Sequence, residues 1–86
     1  MVCMIRINIL PDGLIAQGHA NYSTPGQDIV CAAVSTLLQT LELRGKATKS
    51  KGNMIVHTED KEALRLVVEG LRLIESRYPE NVEVIE

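Results

Sequence analysis

The chain has 86 residues, and its eleven acidic against nine basic side chains leave a formal charge of −2. This length predicts a single small domain over residues 1–86. The near-neutral balance excludes general electrostatic binding, so we expect no direct contact with nucleic acid and none with a membrane. Two cysteines, Cys3 and Cys31, are too few for a disulfide framework or a metal-ligand cluster, and we expect reduced thiols without metal or other cofactor. A secretory leader and a long apolar run are both missing, which predicts a cytoplasmic protein.

The first predicted element is a strand over residues 4–10, where apolar and polar side chains alternate. The tripeptide 11–13 reads Pro-Asp-Gly, and Asp-Gly between two apolar runs predicts a hairpin. The returning strand runs from about Leu14 to Ala20, and small residues on one of its faces would let a helix pack closely. Loops of two and of three residues would pair opposite faces of these strands, so the register stays open.

Residues 21–26 are rich in Ser, Thr, Pro and Gly, which indicates a loop that enters a helix. Two residues compete for the N-cap of this helix. Asp28 as the cap would put Cys31 inside the first turn, whereas Thr24 as the cap would put it in the second turn. We slightly favour Asp28. The helix is expected to continue to about residue 44 and to stop at Gly45, a suitable C-terminal residue.

The faces of this first helix differ in chemistry. At about 100° per residue, one arc is apolar and is expected to face the core. It consists of Val30, Ala33, Val34, Leu37 and Leu41. Leu38 and Leu43 fall outside that arc, where they would meet a partner chain or the site pocket. Asp28, Cys31 and Ser35 lie within roughly 60° of one another on a different face. A packing cysteine would sit among valines and leucines, so this position favours a functional Cys31.

A second hairpin is predicted over residues 46–57, and a second helix starts near Thr58 and closes at Tyr78-Pro79. A short strand over residues 82–85 follows. The predicted order is β-β-α-β-β-α-β. We therefore expect an α+β fold in which two helices pack on one face of a mixed or antiparallel sheet.

His19 closes the second predicted strand, and Cys31 lies near the start of the following helix. A thiol is a strong nucleophile only as a thiolate, and a nearby imidazole or helix N-terminus lowers its pKa. His19 would accept the thiol proton and later protonate a leaving amine. N–H groups near the helix start would stabilise the oxyanion of a tetrahedral intermediate. The pair therefore suggests nucleophilic catalysis, although a cysteine and a histidine alone are a weak signal.

Each neighbour of the pair also has a structural interpretation. Asp28 either caps the helix or orients His19. Ser35 either bonds back to the preceding helical turn or contacts the surroundings of Cys31. Gly18 and Gly26 fit backbone joints, and Gly26 could instead be a point of close approach for a substrate backbone. His57, at the end of a strand, is expected to be a surface residue.

Two segments carry a resemblance to a known family. Gly-His-Ala at residues 18–20, followed by Gly-Gln-Asp-Ile-Val-Cys-Ala-Ala-Val-Ser at residues 26–35, resembles the ribosomal-processing cysteine proteases, the Prp or YsxB family. The predicted order of elements fits the same family over most of the chain. The resemblance implies a cytoplasmic, homodimeric endopeptidase that removes an N-terminal extension from ribosomal large-subunit protein L27. A single cysteine-protease-like domain is therefore expected.

Positions of this chain that match the family's motif are expected to have the roles that the family assigns to them. The resemblance implies that Cys31 is the nucleophile and His19 the catalytic base. Asp28 and Ser35 match motif positions that support the site. Gly26 and Gln27 belong to a loop that the resemblance associates with substrate entry.

Two alternatives stay open at this point. The chain looks shorter than most members of that family, so a diverged relative could process another protein, such as a phage capsid protein. From a different functional class, the chain could be a non-catalytic, ribosome-associated binding or assembly module of the same fold. Cys31 would then be an incidental helix residue.

Overall fold

The computed structural model describes residues 4–18, 27–50 and 53–86. Seven elements follow one another along the chain, and their order confirms the predicted β-β-α-β-β-α-β arrangement. They are β1 (Ile5–Leu10), β2 (Gly13–Gln17), α1 (Gln27–Glu42), β3 (Gly45–Ser50), β4 (Asn53–Thr58), α2 (Lys61–Arg77) and β5 (Val82–Ile85). The last strand has the predicted bounds.

The strands form one mixed sheet in the order β3-β4-β2-β1-β5. Neighbours are antiparallel except β1 and β5, which are parallel. Leu10 pairs with Gly13 and Ile7 with Ala16, so the first hairpin turns on two residues, Pro11 and Asp12. The apolar sides of β1 and β2 therefore share a face, and the register left open by the sequence is settled.

Both helices cover that apolar face. In β4 the residues alternate strictly between exposed and buried, as expected for a strand with one face on a core. The core is wholly aliphatic, consistent with a chain that has no Phe or Trp. Its buried members are Ile5, Ile7, Leu14, Ala16, Val30, Val34, Leu38, Leu41, Met54, Val56, Leu64, Val67, Leu71, Val82 and Val84.

The sheet has two ends, which we name by a residue at each. At the Gly18 end, β2 and β3 finish while β1, β4 and β5 begin. At the Asp12 end lies the Pro11–Asp12 turn. Three contacts fix this turn: Lys61 Nζ donates to the Pro11 carbonyl at 2.7 Å, the Thr58 N–H donates to the Asp12 carbonyl at 2.8 Å, and His57 Nε2 lies 2.9 Å from the Asp12 carboxylate. His57 is exposed, as predicted.

The prediction for the end of the first helix is wrong. α1 ends at Glu42, and Gly45 is the first residue of β3 rather than a helix terminus. The N–H groups of Leu43 and Arg44 bond back three residues, at 3.2 and 2.9 Å, and tighten the chain into a turn. A Cβ at Gly45 would overlap the carbonyl oxygen of His57 on β4. Glycine is therefore required by strand pairing and not by a helix cap.

The second helix also starts later than predicted. Thr58 is the last residue of β4, and α2 begins at Lys61 with Asp60 as its N-cap. The Asp60 carboxylate accepts the N–H of Ala63 at 3.0 Å, a bond that typically contributes about 1 kcal/mol. The Thr58 hydroxyl is buried, donates to the Arg44 carbonyl at 2.6 Å and accepts the Asp60 N–H at 3.0 Å. Thr58 therefore links the end of α1 to the start of α2.

Candidate active site

The described part of the chain contains some of the predicted site residues and not others. Cys31 and Ser35 lie in α1 with half-buried side chains. Gln27 and Asp28 are the first two residues of α1. His19, together with Gly26, lies outside the described residues, so its role remains a prediction.

The preferred helix cap is wrong. A cap residue lies outside the helix with extended backbone, whereas Asp28 is already helical. Cys31 is consequently in the second turn of α1 and not in the first. The field of a helix N-terminus falls off within the first turn, so it stabilises a Cys31 thiolate less than the sequence suggested.

The buried arc of α1 is wider than predicted. Leu38, expected outside the arc, is fully buried, while Leu43 is 83% exposed. Leu38 and Cys31 differ by only about 20° around the helix axis. Cys31 therefore borders the core, against which it packs, rather than lying on a separate polar face. It is a half-buried thiol with protein on one side.

One stripe of α1, which we call the Cys31 stripe, consists of Cys31, Ser35 and Glu42. These residues fall within about 40° of one another around the helix axis. Glu42 is ion-paired with Lys49 of β3 at 4.0 Å, which places the stripe on the β3 side of the helix. Leu37, on the other flank of the buried arc, meets α2. A Cβ built at Gly70 would lie 3.0 Å from its Cδ1 atom.

The fold brings Gly18 and the first turns of α1 to the same end of the sheet. Only Leu43 and Arg44 separate α1 from β3, so the helix runs back over the strand and its first turns lie at the Gly18 end. Gly18, which directly precedes His19, has a φ of 74°. A Cβ there would lie 2.5 Å from the Met4 carbonyl oxygen, so this position requires glycine.

Gly18 is thus the backbone joint that the sequence suggested. Sequence reasoning missed the Glu42–Lys49 pair, because it joins a helix to a strand whose relative placement the sequence does not specify. Across residues 4–18, 27–50 and 53–86, His, Cys, Asp and Glu side chains form no group that could hold a metal ion. Neither described helix is long and apolar enough to cross a membrane.

One known protein family matches most of this chain. The model of the family described as cysteine protease Prp matches residues 4–83, which includes every described element through the first part of β5. The match covers Cys31 and the segment that contains His19.

Two curated relatives carry the name ribosomal processing cysteine protease Prp. The protein of Mycoplasma genitalium is 51% identical over 35 residues, which is 41% of this chain and 35% of the relative. The protein of Mycoplasma pneumoniae is 49% identical over 35 residues, with the same coverage of 41% and 35%. Each alignment thus spans about a third of the curated relative.

Two solved structures share the fold along almost the whole chain. The essential ribosomal processing protease Prp from S. aureus, in complex with a substrate peptide, has a TM-score of 0.72 at 23% identity and covers 98% of this chain and 97% of its own. SMU.848 from Streptococcus mutans has a TM-score of 0.73 at 22% identity, with coverage of 95% and 94%. At these identities the likeness confirms the α+β fold with its mixed sheet.

Proposed function

This chain belongs to the cysteine protease Prp family, a family of hydrolases, and from that premise we propose that it is an endopeptidase with Cys31 as nucleophile and His19 as general base. The observation that supports this assignment most is the position of Cys31. Its thiol is half-buried beside the core, at the end of the sheet that also contains Gly18, the residue before His19 in the sequence.

In the proposed reaction the Cys31 sulfur attacks the carbonyl carbon of the scissile peptide bond. His19 accepts the thiol proton and transfers it to the leaving amine, which departs as the carbon–nitrogen bond breaks. The acyl group then remains on Cys31 as a thioester. Water, deprotonated by His19, attacks the thioester carbonyl and releases the carboxylate product. The proton returns to the Cys31 sulfur, which restores the pair.

We propose that the substrate is the N-terminal extension of ribosomal large-subunit protein L27. The names of the two curated relatives support ribosomal processing, and the motif of residues 18–35 supports the choice of L27. In this proposal Asp28 and Ser35 assist the Cys31–His19 pair, and Gly26 and Gln27 contact the entering peptide. The protein works in the cytoplasm as a homodimer, which sedimentation at micromolar concentration tests.

The decisive experiment is mass spectrometry of a synthetic peptide that spans the L27 extension and the residues after it. We expect one cut by the wild type and none by Cys31→Ala. A cut by both proteins contradicts the proposed role of Cys31, and a cut by neither contradicts the proposed L27 substrate. Cutting of another peptide from a library, with the L27 peptide intact, would contradict only the substrate.

A second measurement isolates the proposed pair from the substrate. In a Cys3→Ser background, the rate of alkylation by iodoacetamide reports on Cys31 alone. We expect His19→Ala to slow alkylation near neutral pH at least tenfold, because the imidazole no longer stabilises the thiolate. Circular dichroism of the two proteins checks that the fold is unchanged. Equal alkylation rates would show that His19 does not act on Cys31, as expected for a non-catalytic binding module.

A further inference from the structure

The outer edge of β3 is the open edge of the sheet on the side of the Cys31 stripe. β3 is the outermost strand, and all of its residues except Ala47 are exposed. Among the residues that the structure describes, β4 is the one strand that pairs with β3. The strand therefore presents main-chain donors and acceptors that the other strands of the described sheet leave unpaired.

The pairing with β4 shows which main-chain groups face outward. Ser50 pairs with Asn53 across a connection of only two residues, and residues that close such a connection form a hydrogen-bonded pair. Hydrogen-bonded pairs alternate along an antiparallel ladder, so Thr48 also bonds to β4. The N–H and C=O groups of Ala47 and Lys49 consequently point away from β4, towards the open edge.

This edge leads to the candidate active site. β3 ends at the Gly18 end of the sheet, where the first turns of α1 also lie. From Glu42 to Cys31 the stripe extends for about 16 Å along the helix. β3 itself extends for about 20 Å. A peptide that lies along β3 therefore follows the Cys31 stripe and reaches the level of the Cys31 thiol.

Resting on the proposed protease function, we propose that the substrate docks as an additional strand on the open edge of β3. Its extended main chain pairs with the outward groups of Ala47 and Lys49, and this pairing delivers the scissile bond to Cys31. Strand addition recognises any extended peptide through its backbone, while side-chain pockets supply specificity. An extended peptide suits this edge better than a second copy of β3, because the copies would bring the ammonium groups of Lys46 and Lys49 close together.

Amide hydrogen exchange of the Cys31→Ala protein, with and without the synthetic L27 peptide, tests this docking. We expect the peptide to slow exchange at Ala47 and Lys49 at least fivefold and to leave Val84 on β5 unchanged. Cleavage by the wild type without protection of β3 overturns the docking and leaves the protease intact. Protection of β3 without cleavage supports the docking and contradicts the proposed cleavage of the L27 peptide. Neither effect contradicts both.

A substitution on the same edge gives an independent readout. Lys49→Pro removes the outward N–H and adds a ring at the edge, whereas Lys49→Ala removes only the ammonium group. We expect KM for the peptide to rise at least fivefold more in Lys49→Pro than in Lys49→Ala, with the iodoacetamide reaction of Cys31 similar in both. Thermal unfolding checks that both proteins are folded. Equal KM values for the two variants overturn the proposal.

Discussion

At one side of the sheet, β5 has four residues and is held by side chains from α2. Glu75 accepts the N–H of Val84 at 2.9 Å, and Arg72 reaches the carboxylate of Glu86 at 2.6 Å. At the other side, β3 has six residues, and the described part of the chain places no comparable side chain on its main chain. One sheet therefore has one covered edge and one open edge.

The difference shows that openness at β3 is local and not a general property of this small fold. Proteins commonly protect edge strands by short length, by cover from a helix or by charged side chains, because open edges pair with other chains. β5 uses the first two of these devices. β3 relies on Lys46 and Lys49, whose charges disfavour self-association but leave the backbone accessible. The accessible edge is the one beside Cys31.

The largest expected effect is a loss of stability when a core leucine of α1 or of α2 is truncated. Leu38 lies on the same side of α1 as Cys31, two turns further along the helix, and Leu71 is its fully buried counterpart on α2. Truncation of a buried leucine to alanine removes packing and leaves a cavity, so each variant is expected to lose about 2–5 kcal/mol of unfolding free energy. Urea denaturation measures this loss. Only Leu38→Ala is also expected to lower peptide cleavage, and equal activity in both variants would contradict a special role for the Cys31 side.

A smaller effect is expected at the covered edge. Glu75→Ala removes the acceptor of the Val84 N–H and is expected to lower the free energy of unfolding by about 1 kcal/mol. Hydrogen exchange at Val84 should become faster in the same variant. Glu75→Gln keeps an oxygen acceptor and serves as the matched control, with a smaller change in both quantities. An unchanged exchange rate at Val84 would mean that Glu75 does not protect this edge.

The smallest effect is expected for the ion pair that links the Cys31 stripe to β3. The Glu42 and Lys49 side chains are 39% and 61% exposed and 4.0 Å apart, so water and salt screen their attraction. Glu42→Gln is expected to change the unfolding free energy by less than about 0.5 kcal/mol. Denaturation at low and at high salt checks this value. A larger, salt-sensitive loss would show that the pair holds α1 onto the open edge.

The parts of the fold that the sequence predicted well are those in which local pattern and burial coincide. Alternation in β1 reflects a sheet with one covered face, and the spacing of Leu64, Val67 and Leu71 reflects a helix with one buried stripe. These patterns are sufficient for the order of elements and for both helices lying on one face.

The wrong predictions concern residues whose environment is set by contacts with distant parts of the sequence or by the exact start of a helix. Gly45 resembles a helix terminus locally but is required by the carbonyl of His57 on another strand. Leu38 lies outside the predicted apolar arc, and the combined cover of helix and sheet decides that it is buried. Asp28 is a suitable cap residue by type, but the helix already includes it. The identity of Cys31 as a candidate needed only the motif, whereas its depth beside the core needed the structure.

Gly18 carries no reactive group, but its geometry constrains the evolution of this protein. Every other amino acid would place a Cβ against the Met4 carbonyl oxygen and would have to adopt a positive φ. Gly18 follows the end of β2 and immediately precedes His19, the proposed base. A deep mutational scan should therefore find Gly18 as intolerant as Cys31, and surveys that equate intolerance with chemistry would misassign it. The constraint on Gly18 comes from its backbone conformation and not from a catalytic role.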